Sequence, residues 1–285
     1  MRHTNPLTIS RRGALRTLAA LPAAAMLGVP GAGHAASLDE IRKRGAMTVA
    51  TEDNYQPFEF TKNGEATGYD VELLRLMEKT LPFKVQQEMI PWTGVLPGVT
   101  TGKYDAAVTA ILVTQERMKV LDFASPVAET VDFYLKRAND KRIGSVKDLS
   151  GLTLGVEAGS AMLKLLPQLE DMLKPTGGNL GKVVEYQGYP EAYQDLANSR
   201  LDYVVNTYLS VRSVADARPN LFAVGEAVSK PTFIAWAVQK GNAELLGLFN
   251  EFLARARADG SMYALQKKWF GTTFEDMPVE PTAQS

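Results

Sequence analysis

Short apolar runs alternate with amphipathic segments along most of this chain, and that alternation confines it to an α/β architecture. Met47–Thr51 alternates as a strand does, and Tyr104–Ile111 carries the apolar core Ala106-Ala107-Val108 of a buried strand. Between them, Asp70 opens a helix with Val71, Leu74, Met77 and Leu81 at helical spacing and Pro82 as its stop. Gly64 and Gly68 bracket a hairpin-like connection, Phe83–Met89 reads as a second strand, and Trp92–Thr101 as a short helix ending at Gly102. Thr114 is expected to cap a helix running to about Leu121. Further on, the strand Thr153–Glu157 precedes Gly159-Ser160 and an apolar helix over Met162–Leu166, with Ser160 as its N-cap.

The first residues have a different character. Arg2, Arg11, Arg12 and Arg16 form a basic stretch with no acidic partner, followed by the apolar run Leu18–Val29, which Pro22 and Gly28 interrupt. About 20 apolar residues are needed to span a bilayer, so the run is too short for a membrane anchor. Gly33-His34-Ala35 supplies small residues at a cleavage-site spacing, and residues 1–35 read as a removable export signal. Ser10-Arg11-Arg12-Gly13-Ala14-Leu15-Arg16 is similar to a twin-arginine signal, although Ala14 stands where an aromatic or leucine is usual, which leaves the general secretory route open.

Loss of that segment changes the chemistry available. Four of the 31 basic residues lie in it and none of the 32 acidic ones, which leaves 27 against 32 and a net charge of −5. Such a balance does not suggest a nucleic-acid or anionic-membrane partner, and no nucleic acid is expected. Both histidines, His3 and His34, leave with the signal, and the chain has no cysteine. No ordinary structural zinc site and no Ser-His-Asp or Cys-His mechanism can then be assembled, so no metal or other cofactor is expected.

The order of motifs carries a resemblance. Thr51-Glu52-Asp53-Asn54-Tyr55-Gln56-Pro57-Phe58-Glu59-Phe60 is followed by Gly68-Tyr69-Asp70-Val71-Glu72, Pro91-Trp92-Thr93-Gly94-Val95-Leu96-Pro97 and Gly102-Lys103-Tyr104-Asp105-Ala106. Thr114-Gln115-Glu116-Arg117, Leu121-Asp122-Phe123-Ala124-Ser125-Pro126, Leu149–Val156, Gly159-Ser160, Tyr189-Pro190-Glu191-Ala192 and Leu196–Asp202 continue the series. In this order the blocks resemble the family 3 extracellular solute-binding proteins, the polar amino-acid binding components of ABC importers. The resemblance implies a two-lobe periplasmic-binding-protein fold of type II, with a ligand cleft between lobes joined by two crossover strands. Residues 36–132 would begin lobe one, 133–230 form lobe two, 231–271 return to lobe one, and 272–285 form a tail.

It also implies site residues. Arg117 matches the arginine that clamps the ligand carboxylate, and a guanidinium fork suits that task. In the expected helix it would sit in the first turn, where a cation opposes the dipole by about 0.3–1 kcal/mol, an odd place for a bland surface arginine. Gly159, Ser160 and Ala161 would offer amides at a helix start, where anions bind. Tyr55 and Trp92 match aromatic positions of the cleft; Tyr69, Phe133 and Tyr208 are further aromatic candidates. The stretch Thr109, Ala110, Ile111 and Leu112 borders the site, and Glu52 stands where some members place an acid for a cationic side chain.

Two departures bear on specificity. The aspartate that clamps the ligand ammonium is replaced by Thr207, and the usual Thr or Ser five residues before the arginine is Leu112. A hydroxyl does not replace a charged partner for a buried ammonium. Simple neutral α-amino acids are therefore expected to bind weakly unless Glu52, Asp53 or Glu157 supplies the charge. The resulting expectation is a periplasmic monomer that binds a small carboxylate-bearing metabolite and delivers it to the membrane permease of an ABC importer. A cyclohexadienyl-dehydratase-like enzyme and a sensor acting in trans are the alternatives. Ser210, where that enzyme would need a glutamate, counts against the first.

Overall fold

The computed structural model describes residues 36–283, so the readings on residues 1–35 lie outside the described residues. The chain starts with helix α1 (Leu38–Arg44), closed at its N-terminus by a reciprocal Ser37–Glu40 capping box and at its C-terminus by Gly45 in the left-handed conformation. Strand β1 (Ala46–Glu52) follows, then a small hairpin of β2 (Phe60–Lys62) and β3 (Glu65–Thr67), turned by Asn63-Gly64 with φ values of 54° and 82°. Helix α2 (Tyr69–Glu78), strand β4 (Lys84–Ile90), helix α3 (Trp92–Thr100) and strand β5 (Ala106–Leu112) complete the first βαβ series. Short strands β6 (Leu121–Phe123) and β7 (Ala128–Thr130) come next.

Five of these strands and one from the end of the chain make the first sheet. Its order is β4-β1-β5-β13-β6, where β13 is Thr232–Gln239, and β7 also pairs with β13. β1 runs parallel to β4 and β5, and β13 runs antiparallel to β5, β6 and β7. Every residue of β5 is buried, as parallel strands covered on both faces require.

The second sheet has the order β10-β9-β11-β8-β12, from β8 (Asp132–Arg137), β9 (Leu154–Glu157), β10 (Val183–Tyr186), β11 (Tyr203–Thr207) and β12 (Phe222–Ala227). β9 is parallel to β10 and β11, and β8 is antiparallel to β11 and β12. Helices α4 (Ala161–Leu173), α5 (Tyr189–Ala197) and α6 (Tyr208–Ala217) belong to this part. The chain passes from the first sheet to the second between Thr130 and Asp132, and back between Ala227 and Thr232. Helices α7 (Ala243–Ala258) and α8 (Ser261–Phe270) then pack on the first part.

Three local expectations change. No helix forms from Thr114 to Leu121: a single 3-10 turn, Arg117–Lys119, is all that follows Thr114. Antiparallel pairing of Leu121–Phe123 with Gln239–Ala237 captures the chain after that turn. Arg117 thus opposes no helix dipole, and the dipole argument for its role falls away. Helix α2 stops at Glu78, because Thr80 turns back on Met77 through both its amide and its hydroxyl. Helix α4 runs beyond Leu166 to Leu173 and contains Pro167.

The first part has a polar bolt through its core. Trp236 on β13 is fully buried and donates its indole N–H to Asp70 Oδ1 at 2.6 Å. Asp70 lies at the start of α2 beside Glu59, which accepts from the hydroxyl of Thr109 on β5. Trp236 also stacks on Phe252 and meets Phe249 edge-on, both on α7. The bolt joins α2, the central strands and α7, and so fixes the frame from which β1 and β5 reach their ends.

Candidate functional site

In open α/β sheets, ligands bind outside the carboxyl ends of the parallel strands. Here β1 ends at Glu52, β5 at Leu112, β9 at Glu157 and β11 at Thr207. Glu52, Leu112 and Glu157 open onto one cavity, together with Tyr55, Trp92, Ala110, Arg117, Ser160, Ala161 and Met162. Both sheets thus contribute to one site.

The arginine is held in place by its own segment. Thr114 Oγ1 accepts from the Arg117 amide at 3.2 Å, and Arg117 Nη1 donates to the carbonyl of Leu112 at 3.0 Å. The guanidinium lies over the ring of Trp92, 5.0 Å from its centroid, an arrangement that keeps it planar against an apolar wall. Burial brings its pKa down to about 10, which leaves it fully charged at neutral pH. Among the described residues it forms no ion pair.

Opposite lies the start of α4. Ser160 caps it by accepting from the Leu163 amide at 3.2 Å. The amides of a helix's first turn have no intrahelical acceptor, so Ala161 and Met162 bring anion-seeking donors to the cavity wall. Gly159 adopts φ +70°, and a Cβ there would come 3.8 Å from Trp92 Nε1. It shapes the close approach of the two parts without lining the cavity.

Two acids complete the site. Glu52 and Glu157 are 4 % and 3 % exposed, interact with each other, and form no ion pair among the described residues. Burial raises the pKa of Glu157 to about 8, with Asp53 adding to the shift and Arg117 opposing it. Burial, and then the facing Glu157 carboxyl, push Glu52 well above the usual carboxylate range.

Tyr55 belongs to an aromatic column. Its ring stacks between Phe58 and Tyr189, and Tyr189 stacks on Tyr193. The Tyr55 hydroxyl donates to Asn206 Oδ1 at 2.7 Å and lies 3.3 Å from Thr207 Oγ1. Thr207 Oγ1 is also 3.1 Å from Ser210 Oγ, while Asn206 donates to the Tyr193 hydroxyl. A neutral network therefore occupies the end of β11.

Eight of the twelve residues expected at the site line the cavity: Glu52, Tyr55, Trp92, Ala110, Leu112, Arg117, Ser160 and Ala161. Four do not. Thr109 is engaged with Glu59 in the core, Ile111 packs among buried apolar residues including Val95 and Val99, Gly159 is a spacer, and Thr207 is held by Tyr55 and Ser210. Tyr69 is core, bonded to the Val127 carbonyl, and Phe133 packs on Tyr208 away from the cavity. Met162 and Glu157 also line the cavity; the sequence does not single out Met162 and offers Glu157 only as one of three charge sources. An acid closing a buried strand just before a helix cap was the available signal for it.

A sequence model of the bacterial extracellular solute-binding proteins, family 3, matches residues 47–272. The L-cystine-binding protein TcyJ of Escherichia coli (strain K12) is 29% identical over 237 residues, covering 82% of this chain and 86% of that protein. The ABC transporter arginine-binding protein 1 of the same strain is 27% identical over 221 residues, 76% of this chain and 87% of that protein. Among solved structures, the ancestral amino acid-binding protein AncCDT-1, a precursor of cyclohexadienyl dehydratase, aligns with a TM-score of 0.71 at 31% identity, over 82% of this chain and all of that one. An ancestral arginine-binding protein bound to arginine aligns with a TM-score of 0.72 at 29% identity, over 80% of this chain and 99% of that one.

Proposed function

The chain belongs to the bacterial extracellular solute-binding proteins of family 3, and from that premise we propose that it captures an amino acid outside the cytoplasmic membrane and passes it to the permease of an ABC importer. The reading rests on one observation above all. A charged arginine from the first part, without an ion pair among the described residues, faces the start of a 13-residue helix from the second across one cavity. A carboxylate there accepts two parallel bonds from Arg117 and further bonds from the α4 amides, so that both parts grip one ligand. Closure of the two parts as a monomer about the crossovers near Val131 and Lys230 would complete the grip.

The site carries a binding function rather than catalysis. Ser210 sits where the dehydratase reading needs a carboxylic acid, and its hydroxyl is spent on Thr207. The natural relatives whose names state a ligand bind amino acids, cystine and arginine among them.

A thermal-shift screen of the protein against the common L-amino acids tests this reading. Ligand at 100 times its Kd adds about 2.7 kcal/mol to stability, a clear rise in melting temperature. At least one amino acid should produce it, and the corresponding amine without a carboxylate should not. A flat response to the whole panel would overturn the proposal.

A further inference from the structure

Beyond Tyr55 lies a second cavity, of about 200 Å³. Tyr55 is the one residue that lines both this cavity and the one that holds Arg117. The first part contributes Asn54 and Gln56, from the loop that follows β1. The second part contributes Tyr189, Pro190 and Tyr193 from α5, Val214 from α6, and Arg218 just past the end of α6. Both parts of the chain therefore build it.

Its charge is one-sided. No acidic residue lines the cavity, and Arg218 is its one cation. Among the described residues Arg218 forms no ion pair and its guanidinium makes no hydrogen bond, whereas the neighbouring Arg212 pairs with Asp216 and donates to the Tyr208 hydroxyl. The Arg218 guanidinium rests over the ring of Phe222, 4.9 Å from its centroid, which gives an exposed side chain a fixed seat at the cavity. An anion entering here meets a placed and unused charge.

The rest of the wall is aromatic. Tyr55 is stacked between Phe58 and Tyr189, and Tyr189 between Tyr55 and Tyr193. With both faces covered, Tyr55 and Tyr189 are left with their edges for the cavity. Ring edges carry the positive end of the aromatic quadrupole and attract the face of another ring. Tyr189 is also 1 % exposed, and its hydroxyl has no hydrogen-bond partner among the described residues, so the wall holds an unused donor as well.

We propose that this cavity is a second ligand site, which takes a small aromatic carboxylate with its acid group on Arg218 and its ring against the tyrosine edges. The guanidinium fork matches both oxygens of a carboxylate. The site stands apart from the amino-acid reading, since neither Arg117 nor α4 contributes to it. A ligand held by both parts favours their closed arrangement, so its binding and the capture of an amino acid strengthen each other by the same factor.

Calorimetric titration of the protein with benzoate and with benzamide, which keeps the ring but not the charge, tests the proposal. Benzoate should bind about tenfold or more tighter than benzamide, as expected for one charge-assisted pair. Arg218→Gln should weaken benzoate by a similar factor and Arg218→Lys by less. Benzoate affinity should not respond to Arg117→Ala, which locates the probe outside the first cavity. With benzoate saturating, the amino acid that raises the melting temperature most should bind about fivefold tighter or better. No benzoate binding, equal affinities for the two probes, an unaltered affinity in Arg218→Gln, or displacement of benzoate by the amino acid would overturn the second site. An amino-acid affinity that benzoate leaves unchanged would overturn its coupling to closure. Failure of the amino-acid reading shows separately, in the thermal-shift panel, and leaves the benzoate titration intact.

Discussion

Replacing Arg117 by alanine is expected to weaken amino-acid binding by about 2–5 kcal/mol, roughly 30- to 5,000-fold, with little change in the fold. The size follows from partial burial. The guanidinium is charged, lies against Trp92, and forms no ion pair among the described residues. A carboxylate entering the mutant cavity would keep the α4 amides but lose its counter-charge, and would carry most of its desolvation cost uncompensated. Arg117→Lys should fall between the two. It restores a charge but neither the fork that binds both carboxylate oxygens nor the flat face that rests on Trp92. Calorimetry on variants with parental circular dichroism and melting temperature separates this from misfolding. An unchanged affinity for Arg117→Ala would remove the residue from the site.

Trp236→Ala should destabilise the protein by about 3–5 kcal/mol, a large part of the 5–15 kcal/mol that holds a typical domain folded. The fully buried indole fills the space between β13 and α7, so its loss leaves a cavity against Phe249 and Phe252. It also takes away the N–H that Asp70 accepts. Burial already lifts the Asp70 pKa to about 7, and the indole bond is the main influence that holds it down. Trp236→Phe separates the two effects. It keeps most of the ring and removes the donor alone, so its cost should be greatest above pH 7, where Asp70 is ionised. Below pH 7 the cost should shrink, because a protonated Asp70 makes less use of the donor. Urea unfolding of both variants between pH 5 and pH 8 checks the size and the trend. A Trp236→Phe cost that stays constant with pH would show that Asp70 does not depend on the indole.

Much of this architecture is legible in residue order, because its elements announce themselves locally. The apolar run Ala106–Leu112 can only be a buried strand, and Ser160 before an apolar helix marks an N-cap that the structure contains. The failures share one cause. Thr114–Val120 looks helical by itself, but sheet pairing of Leu121–Phe123 with β13, more than 100 residues away, ends the helix after one turn. Thr109 and Ile111 sit on the same strand as Ala110 and Leu112 and are no less apolar in context, yet alternation along β5 sends them away from the cavity. The contact of Glu157 with Glu52 joins two sheets, and nothing local to either residue records it. Thr207 stands out in the sequence as a neutral residue where an acid is expected. Its bonds to Tyr55 and Ser210 became visible only in the fold.

A crystal structure of the protein with the amino acid that raises its melting temperature most tests the account directly. The predicted result is a carboxylate within hydrogen-bond distance of both the Arg117 guanidinium and the first amides of α4. A ligand bound elsewhere, or one that turns its carboxylate away from Arg117, would contradict it.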